Sequence, residues 1–206
     1  MSSLFPIFVK LDGRRCLVVG AGKVGEGKIK SLLGTGACVQ VVALHATETV
    51  QAWASAGAIH LELRPFAPND LDGAFLAIVA TGVTELHKTI YAEAQRRGAL
   101  CNVVDVPEYC DFYYPAVVQR GDLQIAVSTN GQSPSLAQRL RQQLERQFGP
   151  SYAGWVAQLG ETRRRVLASD LDPEQKRELL HSLASGEAFE AMLAANRNGT
   201  RKEELV

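Results

Sequence analysis

The sequence predicts an α/β fold: a parallel sheet wrapped by helices, followed by an antiparallel hairpin and a C-terminal helical region. Three observations carry this. Up to about residue 104, short apolar runs alternate with stretches of helical spacing. A Gly-x-Gly-x-x-Gly motif (Gly20, Gly22, Gly25) directly follows the first apolar run. From residue 115 the rhythm changes to two strands about a Gly-Asp turn, and from 151 onward it is helical. Buried strands alternating with helices of this length mean βαβ units and right-handed crossovers.

Each element has its own signal. RCLVVG at 15–20 is an apolar run stopped by glycine, hence a buried strand. GKVGEGKIKSLLGTG at 22–36 has helical spacing at Val24, Ile29, Leu32 and Leu33 and ends at Gly34 and Gly36. CVQVVAL at 38–44 is short and β-branched, hence a strand. TETVQAWASAG at 47–57 begins with a threonine cap and ends in glycine. AIHLELRPF at 58–66 alternates and closes on proline, and AFLAIVATG at 74–82 is another buried run. TELHKTIYAEAQRRG at 84–98 is an amphipathic helix with Arg96, Arg97 and Gly98 at its C-terminal end. ALCNVVD at 99–105 is the next strand.

Residues 115–129 read as an antiparallel hairpin. Ser133 caps the helix that follows, with Pro134 at its first position. In the C-terminal region Asp172 is a cap, Pro173 a first helical residue, and the polar tail NRNGTRKEELV is expected to fray. The pattern divides the chain into a sheet domain at 1–113, a hairpin-plus-helix region at 114–150 and a helical region at 151–206.

Composition narrows the function classes. The formal net charge is zero over 206 residues, which gives no broad basic field for nucleic acid or a membrane surface. None of the four cysteines forms a CxxC pair; Cys16, Cys38 and Cys101 lie in or beside apolar runs and are expected to be buried, as suits a reducing compartment. The N-terminus lacks a basic n-region, and no apolar run approaches a membrane span, so a cytoplasmic soluble protein is expected.

The glycine motif follows a strand and opens a helix, which is the context of a Rossmann-type dinucleotide site. Gly20 allows the tight turn, Gly22 lets a pyrophosphate approach the backbone, and Gly25 lets the helix pack on the sheet. Lys23 and Val24 begin the helix whose N-terminus faces the phosphates. Leu44 and His45 at the end of the second strand and Thr81 at the end of the fourth complete the candidate cofactor set. The ribose-binding acid expected about 20 residues past the motif is missing. Ala43, Leu44 and His45 stand there, and no arginine waits for a 2′-phosphate, so NAD is expected over NADP. With strand order 3-2-1-4-5, the fourth and fifth strands end beside the nicotinamide, and Asp105 is aimed at that space. Asp105 reads either as a turn-capping aspartate before Pro107 or as a catalytic carboxylate.

These residues resemble the precorrin-2 dehydrogenase/sirohydrochlorin ferrochelatase family, the module that also forms the N-terminal part of sirohaem synthases. The matching stretches are FPIFVKLDGRRCLVVGAGKVGEGK at 5–28, VATGVTELHKTIYAEA at 79–94, and the more specific block at 99–145 that begins ALCNVVDVPEYC. The resemblance implies a homodimer in which the hairpin belongs to a dimerisation region. It implies NAD-dependent oxidation of precorrin-2 to sirohydrochlorin and, in many members, insertion of ferrous iron or cobalt. It places the base for both steps on Asp105 and puts Ser128 at the substrate cleft, with Asn102, Asn130 and Ser133 as further substrate-binding candidates. The chain departs from the family where Thr-Asp-Asp is replaced by Thr81-Gly82-Val83, and where His87 takes the place of an asparagine. Gly25 is frequently alanine in relatives, which reads as a harmless exchange.

A carboxylate is a competent base for both reactions, since each removes protons from one macrocycle. No HExxH motif or Cys/His cluster marks a fixed metal site; His60, His87 and His181 lie on separate elements and read as surface or half-buried residues. A substrate with eight carboxylates calls for positive partners: the helix start at 130–133, Arg120, Arg139 and Arg141, or the cluster Arg163-Arg164-Arg165. Phe112, Tyr113 and Tyr114 are placed either to wall a flat macrocycle or to pack on the hairpin. The alternative is an NAD-sensing regulatory domain without catalysis, but that has no use for the CNVVD strand end and the hairpin behind it. A short-chain dehydrogenase fails because no Tyr-x-x-x-Lys occurs, and a chelatase without redox activity has no use for the intact glycine motif.

Overall fold

The computed structural model describes residues 4–203, with side chains described for residues 4–195. The chain forms two compact units, one ending at Tyr114 and the other beginning at Pro115. The first unit runs β1 (Arg15–Ala21), α1 (Lys23–Leu32), β2 (Cys38–Ala46), α2 (Glu48–Ser55), β3 (His60–Leu63), β4 (Leu76–Val79), α3 (Thr84–Arg97) and β5 (Leu100–Val103). The five strands are parallel in the order β3-β2-β1-β4-β5, as the sequence predicts.

The strands are apolar on both sides because both faces of the sheet are covered. Cys16, Val18, Val41 and Ile78 pack with Ile29, Leu32 and Val50 on one face. Leu17, Val19, Val42, Ala77, Val79 and Val103 pack with Ile90 and Ala94 on the other. Two expectations are corrected. Cys38 is exposed, because it is the first residue of β2 and stands outside the helix-covered centre of the sheet. Val24 is also exposed, because α1 begins at the strand ends and only Gly25, Ile29 and Leu32 turn inward.

The second unit opens with the antiparallel pair β6 (Ala116–Arg120) and β7 (Leu123–Val127), closed by Gly121 and Asp122. It continues through α4 (Pro134–Gln147), α5 (Ser151–Ala168), α6 (Pro173–Leu183) and α7 (Gly186–Glu203). Ser133 accepts from the Leu136 amide to cap α4, and Asp172 accepts from the Glu174 and Gln175 amides to cap α6. Tyr152 and Trp155 on α5 meet Phe189 on α7 with ring centroids 4.4 and 4.7 Å apart. The tail expected to fray is helical through Glu203, and its last three residues lie outside the described ones. No described helix is long and apolar enough to cross a membrane.

One ion pair fixes the chain after β3. Asp70 is buried and accepts from Arg64 Nη1 and Nη2 at 2.9 and 2.6 Å and from the Ala67 amide at 2.8 Å. Burial alone would raise the Asp70 carboxyl, but the hydrogen bonds from Arg64 and Ala67 outweigh it and hold its pKa below the usual value. The carboxylate therefore stabilises the fold above the ordinary aspartate range, and that contribution is lost as pH falls through the lowered folded value. Asp70→Asn is expected to lose about 1.5–3 kcal/mol at pH 7. Urea unfolding of both proteins at descending pH should show the gap close below about pH 4.

Candidate cofactor and catalytic site

The carboxyl ends of β1, β2 and β4 enclose a crevice of about 380 Å³. Its wall includes Gly20 and Gly22 from the glycine turn, Leu44 and His45 from β2, and Thr81, Gly82, Val83 and Leu86 after β4. Five of the predicted cofactor residues therefore meet here: Gly20, Gly22, Leu44, His45 and Thr81. Lys23 and Val24 open α1 and are exposed, while Gly25 is turned toward the sheet.

Bare backbone sets the geometry of the turn. Gly20 has φ +102°, and a Cβ on it would lie 2.5 Å from the Ala80 carbonyl oxygen. A Cβ on Gly25 would lie 2.1 Å from the Gly20 carbonyl oxygen. Alanine at 25, harmless by comparison with relatives, has no room in this chain unless the turn moves. Around Gly22, by contrast, no atom stands within 4 Å of an added Cβ, so the crevice side is open.

The residues fit a dinucleotide. Neither helix that meets the crevice, α1 at Gly22 or α3 at Val83, has a side-chain cap, whereas α2 is capped by Thr47. Uncapped N-terminal N–H groups leave donors and positive potential for phosphates. His87 Nε2 donates to the Thr81 carbonyl at 2.8 Å, and the ring is buried. The expectation of a surface or half-buried histidine is thus corrected: His87 braces the turn after β4 from beneath.

Sequence reasoning missed Arg64, which reaches the crevice wall from the residue after β3. Its guanidinium is engaged by Asp70 and by Glu62, whose Oε2 accepts at 2.8 Å. The basic residue in AIHLELRPF was visible, but only sheet order places the end of β3 beside that of β2.

Beyond β5 the chain makes a tight turn. The Val104 amide donates to the Val79 carbonyl at 2.9 Å, and the Val106 amide to Val103 at 3.1 Å. Asp105 occupies the turn with φ +63°, a left-handed conformation that aspartate tolerates better than most residues. Its exposed carboxylate accepts no hydrogen bond among the described residues. That decides against a side-chain turn cap; Pro107, two residues on, has no amide to offer one.

The segment after the turn folds back along β5. Asp111 accepts from the Cys101 amide at 2.8 Å and from Gln95 Nε2 at 2.7 Å. Asn102, a substrate-binding candidate, is buried, and its amide donates to the Phe112 carbonyl at 2.8 Å and to Cys110 Sγ at 3.3 Å. The amide nitrogen is thereby committed to holding this segment. The fold-back brings Tyr114 under Lys28, whose Nζ stands 3.6 Å from the ring centroid. Lys28 is the second residue that the sequence did not reveal. Burial lowers the pKa of its ammonium, while the charges of Asp105 and Cys110 act to raise it.

The remaining candidates lie in the second unit. Ser128 is exposed and accepts from the Asn130 amide at 3.2 Å; Asn130 itself has φ +53°. The Ser133 amide donates to Thr129 Oγ1 at 3.0 Å. Arg120 donates to the carbonyls of Phe148 and Glu145, so it closes the end of α4 rather than standing free for a ligand. Arg141 pairs with Glu145 one turn on. Arg163, Arg164 and Arg165 are exposed along α5, with Arg165 paired to Glu161 at 3.4 Å. Among the described residues, no three His, Cys, Asp or Glu side chains gather to hold a metal.

Comparison with known proteins matches both parts of the chain. Residues 7–116 match the family described as "Putative NAD(P)-binding", and residues 120–147 match "Sirohaem biosynthesis protein central". The chain is 40% identical to siroheme synthase 2 of Yersinia enterocolitica over 79% of its own length and 34% of that protein. It is 38% identical to siroheme synthase of Methylococcus capsulatus over 91% of its length and 40% of that protein. It thus spans roughly a third to two fifths of the curated relatives it matches. A solved structure of the precorrin-2 dehydrogenase SirC superposes with a TM-score of 0.80 at 25% identity, covering 98% of this chain and 100% of that one. The resemblance read from the sequence is borne out by these relatives.

The two glycines give opposite expectations. Gly22→Asp should fold as before yet bind NAD at least tenfold more weakly, because a carboxylate would face the pyrophosphate. Gly25→Ala should lower the melting temperature as well, because it forces the Gly20 turn to move. Thermal melts and fluorescence titration with NADH check both.

Proposed function

The chain belongs to the NAD(P)-binding family matched over residues 7–116, and from that premise we propose that it oxidises precorrin-2 to sirohydrochlorin with NAD. The observation that carries this reading is the Asp105 carboxylate, unpartnered by hydrogen bonds at the end of β5. Its strand lies beside β4, whose end walls the crevice at Ala80, Thr81 and Gly82. NAD, when bound, supplies the hydride acceptor. Oxidation removes a hydride and a proton from the macrocycle, and Asp105 takes the proton. One feature supports NAD over NADP: no free arginine stands at the end of β2 to receive a 2′-phosphate, since Arg64 is tied to Asp70 and Glu62.

The same carboxylate supports a second step on the product. Insertion of ferrous or cobaltous ion, the metal here being substrate, displaces two protons from ring nitrogens; Asp105 accepts one, releases it to solvent and then accepts the second. Ser128, Asn130 and Ser133 are proposed as substrate-binding residues. A homodimer is proposed as well, supported by Val117, Leu136 and Leu140, which leave apolar surface exposed on β6 and α4.

Asp105→Asn is the cleaner test, because asparagine also tolerates the left-handed backbone. It should leave NAD affinity and melting temperature unchanged and slow precorrin-2 oxidation about 100-fold or more, the scale of a lost general base. Anaerobic absorbance assays with precorrin-2, and with sirohydrochlorin plus ferrous ion, read both steps. Full oxidation by the variant would remove Asp105 from the mechanism, and an inactive wild type would overturn the reading.

A further inference from the structure

Lys28 is unexplained by anything so far. Ile29 and Leu32 on the same helix enter the core, whereas Lys28 is half-buried and forms no ion pair among the described residues. Its ammonium stands over the Tyr114 ring, which itself lies 5.8 Å from the Phe112 ring. Phe112 is in turn held by the buried Asn102 amide. Three elements therefore converge to place one cation: α1, the end of β5 and the fold-back segment.

Taking an ammonium partly out of water without a counter-ion costs free energy, and an aromatic face offsets only part of it. Burial does lower the Lys28 pKa, and the nearby Asp105 and Cys110 oppose that shift. A cation kept in this state suits an anionic ligand that completes the site on binding. Lys28 is absent from the crevice wall, so the residues lining the candidate dinucleotide site do not account for it.

We propose that Lys28 receives a carboxylate of the tetrapyrrole beside Asp105, positioning the macrocycle over the base. This rests on the function proposed above. The chemistry matches, because precorrin-2 and sirohydrochlorin each carry eight carboxylates and the Tyr114 ring offers an apolar flank next to the cation.

The test is Lys28→Met, which keeps the unbranched stem over Tyr114 and removes the charge. The expected result is a KM for precorrin-2 raised about tenfold to a hundredfold, the scale of one charge-assisted hydrogen bond. The Kd for NAD and the melting temperature should stay within about twofold and about 2 °C of wild type. Lys28→Arg should recover most of the affinity, which a merely structural lysine would not require. An unchanged KM in Lys28→Met, or an equal loss of NAD affinity, overturns the proposal. Direct titration with sirohydrochlorin, followed by absorbance, separates the two readings. A wild type that binds it but does not turn over precorrin-2 sinks the dehydrogenase reading alone, and weaker binding by Lys28→Met then still upholds the cation site. A wild type that binds no sirohydrochlorin overturns both.

Discussion

The close approach of backbone to backbone at the glycine turn is the constraint on which the rest depends. Gly20 lies against the Ala80 carbonyl and Gly25 against the Gly20 carbonyl. No side chain separates α1, β1 and the end of β4 at this crossing. Because these three elements meet so tightly, the N-terminus of α1 opens directly into the crevice, and its free N–H groups point where phosphates would lie. The same crossing fixes where the rest of α1 runs, and so where Lys28, one turn past Gly25, comes to stand.

A second constraint operates one strand further along. β5 is an edge strand, and the segment after it turns and lies back along it through Asn102, Asp111 and Cys110. This covers the strand edge through polar side chains, of which Asn102 is buried. It also makes the turn at Asp105 tight enough to require a left-handed residue, which leaves the carboxylate standing off the protein. Asn102 therefore contributes by building the turn, while the Asp105 carboxylate is left without a hydrogen bond among the described residues. The cost of a left-handed aspartate, about 1–2 kcal/mol, is met by the hydrogen bonds on either side of it.

Alternating apolar runs could be read as a parallel sheet because a strand covered on both faces must be apolar throughout. Gly20, Gly22 and Gly25 were legible because each serves a local backbone need. The caps at Ser133 and Asp172 were legible for the same reason: the bonds they make lie within three residues. The likeness of the CNVVD block to its family points to Asp105. Exposure at Val24 and Cys38 is not legible in the sequence, because period and composition say that a residue is apolar but not how far a covering helix extends.

The sequence by itself determined the class of fold, the order of its elements, the glycine turn and the acid at the end of the fifth strand, since these follow from local pattern and chain connectivity. Only the tertiary structure decided that Asp105 is not a turn cap, that Asn102 is a brace, that Arg64 reaches the crevice and that Lys28 stands over Tyr114. Each of those depends on which distant segments pack together: β3 beside β2, and residues 110–114 against β5 and α1. No periodicity along the chain encodes such pairings; they arise only when the sheet has set its strand order and the edge of β5 has been covered.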